Sequence, residues 1–188
     1  MSESVAVDQT VGMPLRRVCL ISTASGCGKS TTGQALAERM NVPYHELDAL
    51  HHGPDWEPCP ADELRARVEP IVQGESWVVD GTYRGTIGDL VPEAADLVVW
   101  LDLPVRVWLP RLVRRTARRV LRKEELWNGN RERWRDVLHP TNSVVVYALR
   151  NYRRTRRTLE AELARFPVAR LRSPAEVETF LESVEPVS

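Results

Sequence analysis

Short apolar runs alternate with helical periodicities along most of this chain. Val18-Cys19-Leu20-Ile21, Trp77-Val78-Val79 and Leu97-Val98-Val99-Trp100-Leu101 are near-continuous apolar segments, the pattern of strands covered on both faces. Pro43 to Leu47 and Val168 to Arg172 read as two further strands. Between them lie apolar sets at helical spacing. These are Thr32, Ala35, Leu36 and Met40; Leu64, Val68, Ile71 and Val72; Leu112, Val113, Val120 and Leu121; and Ala148, Tyr152, Leu159 and Leu163. Punctuation agrees with this division. Pro60 to Glu63 has the proline and acids of a helix start, and Gly74 closes that helix. Pro104 starts a long helix, and Ser173 with Glu176 forms a capping box before the last one. Pro70 and Pro110 are expected to bend their helices. The alternation predicts one α/β domain over residues 15–188, in which a five-stranded parallel sheet lies between helical layers.

The turn after the first strand is Ser22-Thr23-Ala24-Ser25-Gly26-Cys27-Gly28-Lys29-Ser30-Thr31, and a helix follows at once. A glycine-rich turn between strand and helix, ending Gly-Lys-Ser, is a phosphate-binding P-loop in its proper context. Glycines let backbone N–H groups wrap an oligophosphate, and the helix aims its positive end at the same anion. Thr23, Ala24, Ser25, Gly26, Cys27, Gly28, Lys29, Ser30 and Thr31 are therefore the candidate residues for binding ATP. Lys29 would reach the outer phosphates, and the Ser30 hydroxyl would hold Mg²⁺. Thr23 stands where the usual pattern opens with glycine, so the loop entrance is expected to differ. The plain alternative is a glycine turn without a nucleotide, but the flanking strand and helix favour the P-loop.

Carboxylates recur at strand ends, the edge where parallel sheets place ligands. Glu46 and Asp48, spaced by one residue, would point the same way from an extended chain. They are candidates for Mg²⁺ waters or for taking a proton from a hydroxyl, set against two solvated loop acids. Asp80 closes the third strand and is the other candidate for magnesium, set against a turn cap. Gly81, Tyr83 and Arg84 follow on the same edge, with Arg84 a candidate clamp on the acceptor. His51 and His52 lack a second ligand pair at zinc spacing, so their loop, with Trp56, reads as an acceptor wall.

Charge refines the picture. The 188 residues carry 26 basic and 26 acidic side chains, but sixteen of the basic ones and only four of the acidic fall between Arg106 and Arg157. Basic stripes usually form a solvated face. Here two of them flank an irregular stretch, which predicts a lid over residues 115–142 that closes on phosphates. Arg115, Arg118, Arg119 and Arg153 are the candidates for stabilising the transferring group. Cys19, Cys27 and Cys59 have neither disulfide nor metal spacing. Residues 1–14 read as a disordered leader, and no apolar run nears a membrane span, so a cytoplasmic protein is expected.

These residues resemble the adenylate-kinase-like branch of the P-loop kinases over Arg16 to Val184. Asp80-Gly81-Thr82-Tyr83-Arg84 is similar to the Asp-Gly-Phe-Pro-Arg element of adenylate kinases, and Glu46-Leu47-Asp48 to the acid-x-acid element of shikimate-type kinases. Glu46 to Leu50, Val79 to Tyr83 and Glu125 to Asn130 resemble bacterial proteins called topology modulation or adenylate kinase family proteins. The resemblance implies ATP with Mg²⁺ at Gly26 to Thr31 and an acceptor near Asp48 and Arg84. It also implies an arginine lid, since the zinc-lid cysteines of adenylate kinases are missing. The expected activity is phosphoryl transfer to a small acceptor, a nucleotide or a hydroxyl compound. The alternative is an ATP-switched regulator gripping nucleic acid through the Arg106–Arg157 segment with Trp127 and Trp134, and a third reading is a bare NTPase.

Overall fold

Alternate residues of the central strands supply two separate cores, as the period-2 geometry of a strand requires. Val18, Leu20, Val99 and Leu101 face one side, against Leu36, Met40, Trp108, Leu112 and Phe180. Cys19, Ile21, Val79, Val98 and Trp100 face the other, against Leu64, Val68, Ile87, Val91 and Leu159. The computed structural model describes residues 15–132 and 143–187.

The elements run β1 (Arg17–Ser22), α1 (Lys29–Met40), β2 (Tyr44–Glu46), α2 (Leu47–His51), a 3₁₀ turn at Pro54–Trp56 and α3 (Ala61–Val72). Then come β3 (Trp77–Asp80), α4 (Arg84–Ile87), α5 (Leu90–Ala94), β4 (Leu97–Leu101) and α6 (Val105–Arg122). A second 3₁₀ turn at Trp127–Gly129, α7 (Val144–Leu163), β5 (Val168–Leu171) and α8 (Pro174–Ser183) complete them. The sheet is five-stranded in the order β2-β3-β1-β4-β5, and every pairing is parallel. The three-layer α/β arrangement is thus the one the apolar pattern predicts. Because β1 lies centrally, the loops after β2 and β5 emerge on opposite sides of the loop after β1. That placement creates the two ends of the cleft described below.

Local differences have local causes. Pro70 falls in the last turn of α3, where its missing N–H leaves the Ala66 carbonyl without its intrahelical donor. Pro110 is accommodated within α6, which runs unbroken from Val105 to Arg122, and Pro104 caps that helix from outside it. Ser173 accepts a hydrogen bond from the Glu176 N–H, and Glu176 in turn accepts from Ser173 Oγ and the Arg172 N–H, which completes the expected capping box. Residues 115–122 of the expected lid belong to α6, Lys123 to Glu132 are irregular apart from the 3₁₀ turn, and 133–142 lie outside the described residues. The leader at 1–14 and Trp134 lie outside them too.

Asp96 fastens the start of β1. It accepts from the Arg17 guanidinium at 2.7 Å and from the Arg16 and Arg17 N–H groups at 3.1 and 2.8 Å. Burial pushes its carboxyl up, but these hydrogen bonds and the Arg17 charge prevail and hold it below 3.8. A depressed folded-state value stabilises above the unfolded value and ceases to do so as pH falls through the folded one. Asp96→Asn is therefore expected to cost about 1–2 kcal/mol at pH 7. The gap from the wild type should close in acid below 3.8, as urea midpoints at the two pH values would show.

Candidate functional site

The loop from Ser22 to Lys29 wraps under the N-terminus of α1. Gly26 and Gly28 take φ of +90° and +89°, a region open to glycine and strained for other residues. A Cβ at Gly26 would lie 2.7 Å from the Trp108 carbonyl oxygen, so the loop packs directly on the α6 backbone. No side chain caps α1, and its first turn holds no acid, which leaves its N–H groups for an anion. Thr23 has no positive φ; its replacement of glycine serves a side-chain contact instead. Its buried hydroxyl donates to Asp102 at 2.9 Å and accepts from the Trp100 indole at 2.9 Å. Asp102 also accepts from Arg156 and Arg170, which ties the loop entrance to α7 and β5.

A cleft of about 1100 Å³ opens above this loop. Ala24 to Thr31 line it, together with Glu46, Asp48, His52, Trp56 and Trp127. Thr23 is not among its lining residues. On the α8 side Leu103, Val144, Pro174, Val177 and Leu181 give it an apolar end, suited to a planar base. On the α2 side it is polar and aromatic. His52 stacks on Trp127 at 5.9 Å between ring centroids, and Trp56 meets the Trp127 ring edge-on at 6.4 Å.

The acids divide the work. Asp80 is wholly buried, contacts the Lys29 ammonium and accepts from the Tyr44 hydroxyl at 3.0 Å, so it sits behind Lys29 rather than in the cleft. Burial raises the Tyr44 hydroxyl to about 12. Lys29 is pulled below the ordinary lysine value chiefly by burial, against the opposing charges of Asp48 and Glu46. Glu46 lies in the cleft and accepts from Ser30 Oγ at 2.8 Å. Asp48 accepts from the Tyr83 hydroxyl at 2.6 Å, and among the described residues it has no ion-pair partner. The expectation that Glu46 and Asp48 share an extended chain is corrected. Glu46 ends β2, Asp48 lies in the first turn of α2, and both reach the cleft because the chain bends between them.

Other candidates sit away from the cleft. Arg84 is held by Asp89 and Glu162, so its charge is committed on the α4–α7 side and not to an acceptor. Tyr83 does not line the cleft and reaches it through Asp48 and His52. Gly81 packs behind Lys29, where a Cβ would stand 3.9 Å from Nζ. Arg153 is exposed on α7 and does not line the cleft. Arg115, Arg118 and Arg119 do line it, joined by Arg111 and Arg114 from the same face of α6. Burial is the main force lowering the Arg115 guanidinium, followed by the charge of Arg119, which bonds Glu132 at 2.9 Å. Arg111 and Glu132 had only helical spacing and proximity to the basic stretch to signal them.

Four residues at the α2 end adopt left-handed backbone without being glycine: Asp55, Trp56, Tyr83 and Asn128, with φ of 56°, 63°, 45° and 55°. Such conformations cost of order 1–3 kcal/mol each and cluster at functional sites. The arrangement suits a polyphosphate with a hard cation. N–H groups, Lys29 and the α6 arginines match the anion, and the Ser30–Glu46 oxygen pair matches magnesium. Among the described residues no group of three or more His, Cys, Asp or Glu side chains forms a metal cage. The cation would thus depend on phosphate oxygens and water for its remaining ligands. None of the described helices is long and apolar enough to cross a membrane.

No protein-family model matches the chain, and no curated protein matches it in sequence. Solved structures do match in shape. A shikimate kinase from Acinetobacter baumannii in complex with shikimate aligns over 94% of this chain and 93% of its own, with a TM-score of 0.55 and 17% identity. A shikimate kinase from Bacteroides thetaiotaomicron aligns over 89% and 95%, with a TM-score of 0.51 and 15% identity. An unliganded sugar kinase from Janibacter sp. HTCC2649 aligns over 90% and 91%, with a TM-score of 0.52 and 20% identity. The chain has the fold of these small P-loop kinases.

Proposed function

We propose that this protein transfers the γ-phosphoryl group of ATP to the hydroxyl of a small acceptor, with Mg²⁺ as cofactor. The observation that carries the reading is Asp48: a cleft carboxylate near the P-loop lysine, oriented by Tyr83 and paired with no cation among the described residues. An alcohol needs a base to take its proton, and Asp48 has the position and the open oxygen for that task. A nucleoside monophosphate needs none, and its phosphate would be repelled by the same carboxylate.

When bound, Mg²⁺ and ATP supply the transferable phosphoryl group and its charge shielding. The chain's own residues do the rest. Ser30 and Glu46 offer oxygens to the cation, and the α1 N–H groups with Lys29 hold the phosphates. Arg111, Arg114, Arg115, Arg118 and Arg119 spread the charge that builds on the phosphoryl oxygens. His52, Trp56 and Trp127 wall the acceptor from water. The nucleic-acid reading would draw on the exposed arginines of α7, Arg150, Arg153, Arg154 and Arg157, whereas the five from α6 line the cleft beside the P-loop.

The test is ATP consumption by the purified chain with Mg²⁺, against small alcohols, nucleosides and nucleoside monophosphates. An alcohol should raise turnover by orders of magnitude. Stimulation confined to a monophosphate would make the acceptor a nucleotide, and turnover indifferent to every acceptor would leave hydrolysis alone.

A further inference from the structure

We propose that Trp127 is a positioning residue for the cation site and that it couples the Leu126–Asn130 segment to the cation. The inference rests on the phosphotransfer reading, in which Ser30 and Glu46 serve magnesium. Both oxygens of Glu46 are engaged, by partners from distant parts of the chain. Oε1 accepts from Ser30 Oγ at 2.8 Å, and Oε2 accepts from the Trp127 indole N–H at 3.0 Å. Ser30 gives its single proton to Glu46 and so keeps its lone pairs for a cation. Trp127 fixes the orientation of the carboxylate that fixes Ser30.

The segment carrying Trp127 is built as one piece. The Leu126 N–H donates to the Asn130 carbonyl at 2.7 Å. Buried Asn130 donates to the Gly53 carbonyl at 2.8 Å and accepts from the Trp56 N–H at 2.9 Å. Asn128 donates to the carbonyl of His52. These bonds fasten the segment to the acceptor wall, and the indole–Glu46 bond extends that assembly to the P-loop. Outer partners of metal ligands commonly tune affinity 10–100-fold, and linkage makes the effect mutual. Cation binding therefore favours the docked Trp127 by the same factor by which docked Trp127 favours the cation, and the acceptor wall is set when Mg²⁺ and nucleotide are in place.

The test is calorimetric titration of Mg²⁺ into the full chain saturated with ADP, for the wild type and Trp127→Phe. Phenylalanine keeps an aromatic ring beside His52 and Trp56 but has no N–H. The variant should bind Mg²⁺ about tenfold more weakly, with ADP affinity in the absence of cation unchanged. In the wild type, the Trp127 indole N–H resonance should exchange more slowly with solvent once Mg²⁺ and ADP are bound. Unchanged Mg²⁺ affinity in a folded variant, or an indole signal indifferent to Mg²⁺ with ADP, overturns the proposal while leaving the phosphotransfer reading intact. If Mg²⁺ does not bind even to the wild type with ADP, both readings fall together.

Discussion

Lys29→Ala is expected to lose catalysis and stability together. The ammonium is the lysine of the P-loop, and removing one preorganised charge from a transferring phosphoryl group costs about 10²–10³-fold in kcat. It is also the cationic partner of Asp80, which is wholly buried. Breaking a buried ion pair by deleting one member costs about 3–5 kcal/mol, because the other is left charged and dry. The Tyr44 hydroxyl at 3.0 Å meets only part of that need. The two effects separate in the double variant Lys29→Ala/Asp80→Asn. There the neutral amide still accepts from Tyr44, so the urea midpoint should recover most of the loss while activity stays absent. A double variant as unstable as the single one would show that Asp80 is not held by Lys29.

Asp48→Asn should lower kcat by about 10²–10⁴-fold, the usual contribution of a general base. Asparagine is nearly isosteric and still accepts from the Tyr83 hydroxyl, so KM for the acceptor and folding should change little. An Asp48→Asn enzyme of near-normal kcat would point to an acceptor that arrives ionised, as a phosphate oxygen does.

Sheet, helices and phosphate loop were legible because each is encoded locally. Apolar runs mark buried strands, and Gly26 and Gly28 mark the loop whose φ values only glycine takes freely. What escaped depends on partners far along the chain. Asp80 reads as an open strand-end acid until Lys29 and Tyr44 are seen to enclose it. Arg84 reads as a clamp until Asp89 and Glu162 claim its guanidinium. Periodicity put Arg115, Arg118 and Arg119 on one face, but nothing in it could say that α7 turns Arg153 outward. Thr23 looked like a defect in a glycine pattern. It is one corner of a hydrogen-bonded group whose centre, Asp102, carries no motif at all.

The left-handed residues around the α2 end bear on how such a protein changes over evolutionary time. Asp55, Trp56, Tyr83 and Asn128 each hold a backbone conformation that glycine would adopt more cheaply. They stand on 3₁₀ turns or just before a four-residue helix, with none of the long apolar stripes that anchor α1 and α6. Glycine at Asp55, Trp56 or Asn128 would relieve that backbone cost and spare both cores, whereas Tyr83 packs against the second core. The P-loop end, fixed by Thr23, Asp102 and the close contact of Gly26 with α6, has no such latitude. On the phosphotransfer reading, a lineage could therefore exchange one acceptor for another by redrawing these turns, provided the Trp127–Glu46 bond is kept.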